Sequence, residues 1–416
     1  MISLKTMSML ISIILMGPCF VHGATNLNYN LKVSSPSSNN SAENKSTNSR
    51  EARVFSLFNV VKFQNGPCES NVAPPGGSIS QGNRHGTCYT FDECRKAGGA
   101  TAGKCASGFG VCCLFVVKES GTTVTRNCTY LENPGSPNPY GSSSQVSYQI
   151  AKCCANVCQL RLDFESFVIQ GTGNTLELDT TSNPPTFGGI CKDRFTVSVA
   201  TGSFIPTICG QNTGQHIYAD IGNLDSDTAQ LNFQFDGSTS LRQWAIKVTQ
   251  IPCYSVGHPH GAGCLQYHTG LSGRLTTFNF IPTNDNHLAN QDYSICIRQE
   301  LGFCCVEYTV CPEPGSFNLD TQEESEIDTY CKDEDYIGIE GGEGTCSKSI
   351  NPRAVTNKFC GLRLNILDDE ENNGLVCDCT PPFQVDIFTD QETDRGNDPN
   401  ERHSRGVCLL FKQIPC

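Results

Sequence analysis

Positive charge is scarce in this sequence: 29 Lys and Arg face 42 Asp and Glu, a formal net charge of −13. Lys5 is the only charged side chain before the expected cleavage point, so the mature chain sits near −14. A protein that tracks a phosphate backbone needs a basic face, and this composition excludes that role. The balance suits a soluble protein, or one that attracts cations. Long apolar runs are also missing. Beyond the N-terminus nothing approaches the about 20 apolar residues that span a bilayer. Catalytic signatures are absent as well: there is no G-x-S-x-G, G-D-S-G-G or H-E-x-x-H. None of the eight histidines sits beside a nucleophile motif. A C-x-x-C redox site is lacking, since Cys377-Asp378-Cys379 has one residue between. The expectation is a protein that is not an enzyme.

Cysteine is abundant, with 26 in 416 residues. Such usage reads as a disulfide framework in an oxidising compartment. Met1–Gly23 supports this, with Lys5 at a charged start, an apolar run from Met7 to Met16, and Val21-His22-Gly23 at a tolerable cleavage site. It is too short for a membrane span and reads as a secretory signal peptide. Its removal takes Cys19 and leaves 25 cysteines, an odd number that implies a free thiol or a bridge to another chain.

Residues 24–53 are rich in Asn and Ser and should form a disordered leader. Asn39 and Asn44 begin glycosylation sequons there, and Asn127-Cys128-Thr129 is a third. Arg50-Glu51-Ala52-Arg53 could be a processing site. A small module over 54–120 follows, with cysteines at 68, 88, 94, 105, 112 and 113. Its apolar core must be small, so bridges would supply its stability. Thr90-Phe91-Asp92-Glu93 is a capping-box pattern that predicts one short helix.

From Cys128 onward, short alternating segments predict strands of an all-β sandwich. Leu160, Leu162 and Phe164 alternate with Gln159, Arg161 and Asp163; Phe195, Val197 and Val199 follow, then Leu231, Phe233 and Phe235, then Trp244, Ile246 and Val248. Val306, Tyr308 and Val310 continue the plan, as do Phe383, Val385 and Ile387. The plan repeats. Lys247-Val248-Thr249-Gln250-Ile251-Pro252-Cys253 is similar to Leu410-Phe411-Lys412-Gln413-Ile414-Pro415-Cys416. Cys191-Lys192-Asp193 with Cys209-Gly210 is similar to Cys331-Lys332-Asp333 with Cys360-Gly361. Two sandwich domains are therefore expected, over 121–253 and 254–416.

These residues resemble CUB domains. The first repeat has Asn127-Cys128, Asn133-Pro134-Gly135 with Pro137 and Tyr140, Cys191-Lys192-Asp193-Arg194-Phe195, Ile208-Cys209-Gly210 and a last strand at Trp244. The second has Phe317-Asn318-Leu319-Asp320, Cys331 to Asp335-Tyr336, Phe359-Cys360-Gly361 and Phe388-Thr389-Asp390. The six-cysteine segment, closing in Cys112-Cys113, resembles a clip-type module. With Leu57-Phe58-Asn59-Val60-Val61 and His287-Leu288-Ala289-Asn290-Gln291-Asp292-Tyr293, the chain is similar to secreted arthropod CUB-domain proteins. The resemblance implies bridges Cys191–Cys209 and Cys331–Cys360, and, for a clip-like module, Cys68–Cys112, Cys88–Cys105 and Cys94–Cys113. Cys153-Cys154 departs from the pattern, and Cys154 is the candidate unpaired thiol.

The resemblance also implies Ca²⁺ held by three carboxylates at one sandwich end. In the second repeat these map to Asp320, Asp335 and Asp390; in the first, to Gln170, Asp193 and Asp236, a weaker set because Gln170 carries no charge. A hard cation with about six to eight oxygen ligands would hold loops whose carboxylates otherwise repel. Residues 312–345 hold eleven acids against Lys332 alone, so solvated loop acids are the competing reading. Gly257-His258-Pro259-His260-Gly261 reads as an inter-domain turn rather than a metal site. The expected function is secreted, extracellular recognition of a protein or glycan, with a partner lysine docking at the acidic loops. The alternatives are a non-catalytic regulator of an extracellular serine-protease cascade, docking through 54–120, and a matrix or cuticle component cross-linked through the odd cysteine.

Overall fold

The computed structural model describes residues 63, 65–70, 84–172, 189–259, 263–281, 286–319, 325–331, 335–346, 356–390 and 404–416. The signal peptide, the leader, Asn39, Asn44 and Arg50 to Arg53 lie outside the described residues. Among those described, no helix is long and apolar enough to cross a membrane.

Two β-sandwiches follow one another, preceded by a small disulfide-rich module. Residues that alternate along a strand point to opposite faces, so each alternating segment places one row in the core. Leu160, Leu162 and Phe164 of strand Val157–Val168 are buried while Arg161 and Asp163 are part-exposed. The single tryptophan, Trp244, is fully buried and stacks on Phe233 with ring centroids 4.1 Å apart. Phe164, Phe167 and Phe195 pack edge-on beside it. Each such side chain contributes about 1.5–3 kcal/mol on burial.

The first sandwich faces a four-stranded sheet, ordered Thr122–Val124, Val146–Ala151, Thr228–Gln234, Arg194–Val199, against a larger one. That larger sheet places Gln243–Pro252 between Thr129–Glu132 and Val157–Val168, with His216–Asp220 at its edge. The small module is continuous with it, because Gly110–Val117 pairs parallel to Thr129–Glu132. The helix of the module runs Phe91–Lys96, and Thr90 caps it in a reciprocal box with Glu93. Its bridges are Cys68–Cys112, Cys88–Cys105 and Cys94–Cys113. Buried Arg84 anchors the module to the sandwich, 2.7 Å from the fully buried Glu132 and over the Tyr130 ring.

The second sandwich faces six strands against five. One sheet runs Cys264–His268, Gln291–Ile297, Phe383–Thr389, Tyr336–Gly342, Thr356–Gly361, Ser325–Ile327. The other is centred on Gly406–Pro415 and Phe303–Val310. Bridges Cys264–Cys296, Cys304–Cys416, Cys305–Cys379, Cys311–Cys408, Cys331–Cys360 and Cys346–Cys377 tie it together. Cys191–Cys209 and Cys158–Cys253 do so in the first sandwich.

Hydrogen bonds join the two sandwiches, beside a continuous buried apolar cluster. Gln215 donates to Thr276 Oγ1 at 2.8 Å, and the Asn279 N–H donates to Asn212 Oδ1 at 2.8 Å. The Gln211 N–H donates to Asn279 Oδ1 at 3.1 Å. Gly210 makes that approach possible. Its φ is +76°, and a Cβ there would overlap the Asn279 amide.

Asp378 is a buried acid in this core, between disulfide-bonded Cys377 and Cys379, accepting the Thr380 N–H at 2.7 Å. Burial pushes its carboxyl up to about 7, helped by the charge of Glu340. The folded chain then holds a proton that the unfolded chain releases near pH 4. Stability from this group is full below that pH and is lost as pH rises through about 7. Asp378→Asn keeps the acceptor and cannot ionise. In urea titrations it should match the parent at pH 4 and exceed it by on the order of 4 kcal/mol at pH 8.

Candidate functional site

At the loop end of the first sandwich, the Cys191–Cys209 bridge fixes the turn entering strand Arg194–Val199 and turns Asp193 inward. Asp193 is fully buried. The Gln170 N–H donates to its Oδ2 at 2.9 Å, and the Asp236 N–H to its Oδ1 at 3.2 Å. The structure thus brings Gln170, Asp193 and Asp236 together, and places a fourth group among them. Arg242, paired with Tyr140 just before Gln243–Pro252, sends a fully buried guanidinium into the cluster.

Every N–H of that guanidinium has an acceptor. Nε donates to Asp193 Oδ2 at 2.6 Å, and Nη2 to Asp193 Oδ1 at 2.9 Å and Asp236 Oδ1 at 3.1 Å. Nη1 donates to the carbonyls of Ser240 at 3.0 Å and Ser238 at 3.2 Å. The planar fork matches the carboxylate two bonds to two, and Phe235 lies under its face at 4.6 Å. Burial would push the Asp236 carboxyl up, but hydrogen bonds from Ser238 and the charge of Arg242 hold it below the usual carboxylate range.

This arrangement does not fit a resident Ca²⁺. A calcium ion needs six or more oxygens turned toward it. Here both Asp193 oxygens are turned onto Arg242, and Gln170 Oε1 accepts the Ser238 and Ser240 hydroxyls. Arg242 supplies the positive charge that an ion would have brought.

The second sandwich repeats the frame with a histidine in place of the arginine. Asp335 is buried behind the Cys331–Cys360 bridge, and the Asp390 N–H donates to its Oδ1 at 2.7 Å. His287 Nε2 lies 2.5 Å from the other oxygen. Its Nδ1 faces the Ser404 carbonyl at 3.0 Å and the Ser404 hydroxyl at 2.9 Å. A carbonyl only accepts, so Nδ1 carries a hydrogen. Nε2 is thus the ring atom that faces the carboxylate. Asp335, His287 and Ser404 lie in line, yet this is not an activated nucleophile. The Ser404 hydroxyl donates to the Asn318 carbonyl at 3.1 Å, and the group is closed to solvent. Asp320 lies outside the described residues.

The structure places Gln170, Asp193 and Asp236 together, and Asp335 beside Asp390, while sequence reading assigned no role to Arg242 or His287. Arg242 stands two residues before Trp244, and an arginine at the start of the last strand was the available signal.

Three other expectations meet the structure here. Asn127 is buried; its amide donates to the Gln250 carbonyl at 3.1 Å and accepts the Gln250 N–H at 2.7 Å. The sequon amide is thus engaged inside the fold, against the Gln250 backbone. Cys153 and Cys154 are both free thiols, Sγ atoms 3.1 Å apart, where one had been expected. Burial pushes the Cys153 thiol up to about 12. His258 lies at the joint between the sandwiches, 3.5 Å from the Tyr218 hydroxyl, and His260 lies outside the described residues.

Residues 261–414 match the animal CUB domain family, so the second sandwich is an animal CUB domain. No curated protein matches the chain. Among solved structures, the CUB1-EGF-CUB2 domains of rat MASP-1 align at 15% identity and TM-score 0.24, covering 70% of this chain and 99% of that one. The CUB1-EGF-CUB2 domain of human MASP-1/3 aligns at 15% identity and TM-score 0.20, covering 68% and 98%. The full extracellular region of zebrafish Gpr126/Adgrg6 aligns at 12% identity and TM-score 0.24, covering 72% of this chain and 34% of that one.

Three outcomes follow from these contacts. Arg242→Met leaves Asp193 buried without its partner and should destabilise the first sandwich by about 3–5 kcal/mol, read from Trp244 emission in urea. Millimolar calcium should leave the midpoint of that transition unchanged in the parent. Peptide mapping of the protein expressed in animal cells should find Asn127 without glycan.

Proposed function

We propose that this is a secreted, non-catalytic recognition protein whose sandwich loops bind an extracellular protein. The observation that carries this reading is the CUB domain over 261–414, a kind of module that serves protein interaction outside cells. The dense disulfide framework supports the same compartment. The chemistry of the surface suits a basic partner. The net charge is −13, and the acids of 312–345 cluster on one sandwich. A lysine or arginine of the partner, seated against Asp390 and neighbouring acids, would make a charge-assisted contact weakened by salt.

Order in these loops does not depend on a bound ion in the first sandwich, where Arg242 is built in. Calcium at the second, through Asp390 with Asp320, is a separate reading that a thermal shift in calcium against chelator decides. A rise in midpoint that Asp390→Ala abolishes would establish it.

The test of the main reading uses the protein recovered from the medium of animal cells, applied to an array of extracellular domains and glycans. Binding to a basic ectodomain is expected, with affinity falling as salt rises and falling at least about fivefold in Asp390→Ala. Unchanged binding by that variant would sink the docking site. Binding confined to glycans would replace the protein partner. If deletion of 54–120 alone abolishes an effect on proteolysis, the cascade-regulator reading takes over.

A further inference from the structure

The joint between the sandwiches gathers three histidines from three segments. His216 begins the edge strand His216–Asp220 of the first sandwich, His268 ends the edge strand Cys264–His268 of the second, and His258 comes from the connection. The His216 and His268 rings lie 5.1 Å apart. Tyr218 and Tyr267 pack edge-on between the two sides at 6.2 Å, and Arg161 donates to the Tyr218 hydroxyl at 2.9 Å.

One bond fixes the chemistry. The Tyr267 N–H, from the second sandwich, donates to His216 Nε2 at 2.9 Å. That nitrogen must be an acceptor, so His216 is neutral while the contact stands. A proton on Nε2 turns the acceptor into a donor aimed at another donor. A second proton, on His268, would place two like charges ring to ring beside Arg161.

The nearby carboxylates are engaged elsewhere. Asp163 pairs with Arg161 at 2.8 Å, Glu300 with Arg298 at 2.6 Å, and Glu313 with Arg274 at 2.8 Å. Asp220 accepts from Gln159 at 2.8 Å. Lys247, on the neighbouring central strand, adds a further positive charge, and the strand Gly406–Pro415 offers the ring of Phe411 to His268. No disulfide among the described residues crosses the joint: Cys158–Cys253 closes one side and Cys264–Cys296 the other.

We propose that this joint is an acid-sensitive latch, in which neutral His216, His258 and His268 hold the two sandwiches together and their protonation in mildly acidic fluid releases them. The latch rests on these contacts and not on the identity of the partner. Burial, reinforced by the charge of Arg161, holds all three rings below their ordinary value, His268 down to about 4. Separation returns them to water and to the ordinary value near 6.5. The separated form then binds more protons, so docking is complete above about pH 6.5 and weakens as pH falls toward 4. His268 alone raises the opening equilibrium about 30-fold between neutral pH and pH 5.

The experiment compares the full secreted protein at pH 7.5 and pH 5.0 by amide hydrogen exchange, corrected for intrinsic rate, and by small-angle scattering. Protection of the Tyr267 amide should fall at least tenfold at pH 5.0 and the maximum dimension should grow, while Trp244 emission stays that of the buried ring. In H216Q/H268Q the glutamine at 216 can still accept the Tyr267 N–H, and protection should persist at pH 5.0. Unchanged protection and dimension in the parent would overturn the latch. So would opening of the double variant to the parent's extent, or a Trp244 shift accompanying the change, which would mean unfolding. If the double variant does not fold, the parent comparison decides alone, with His258→Gln as the second variant expected to blunt the response.

Discussion

A buried carboxylate needs a positive charge, and both loop ends of this protein are organised around meeting that need. Asp193 and Asp335 are each drawn inward by a nearby disulfide and by the N–H of a second aspartate. Left alone, each would cost several kcal/mol of desolvation. The first sandwich answers with Arg242, whose five donors also gather the carbonyls of Ser238 and Ser240. The second sets the imidazole of His287 against Asp335. In the first sandwich the cation belongs to the chain, so the order of that loop end is inherited from folding.

This solution works only on a rigid frame. A guanidinium that satisfies five acceptors tolerates little play, and the frame comes from two sources. The aromatic core around Trp244 fixes the strand that delivers Arg242. The disulfides fix the loops that deliver the carboxylates. The small module adds to the frame by extending the larger sheet through Gly110–Val117, with Arg84 and Glu132 closed between module and sandwich.

Strand periodicity made the sandwich fold legible, because alternation at Leu160 to Phe164 or Phe383 to Ile387 has one physical cause. The same holds for the helix at Thr90, where capping is local. The cluster of acids was legible too, since a repeated Cys-x-Asp marks it in the first sandwich. What the sequence could not convey was the counter-charge. Arg242 is 49 residues from Asp193 and His287 is 48 from Asp335, so only folding brings each pair together. Asn127 shows the same limit of local reading. A sequon is a local pattern, but its burial is decided by Gln250, 123 residues away. The joint was beyond reach as well, because His216, His258 and His268 converge only when two separately patterned sandwiches dock.

The contrast between the loop ends and the joint is the feature that bears most on function. At the loop end of the first sandwich, the buried carboxylate is matched by a built-in arginine that stays charged across the extracellular pH range. At the joint, rings that stay neutral face a fixed cation and lack a free carboxylate. A recognition surface confined to one loop end would therefore keep its shape on acidification. A surface built across both sandwiches would not, because the relative placement of its halves depends on the Tyr267 N–H finding an unprotonated His216. Whether a partner is held by one sandwich or by two thus determines how its binding responds to acid.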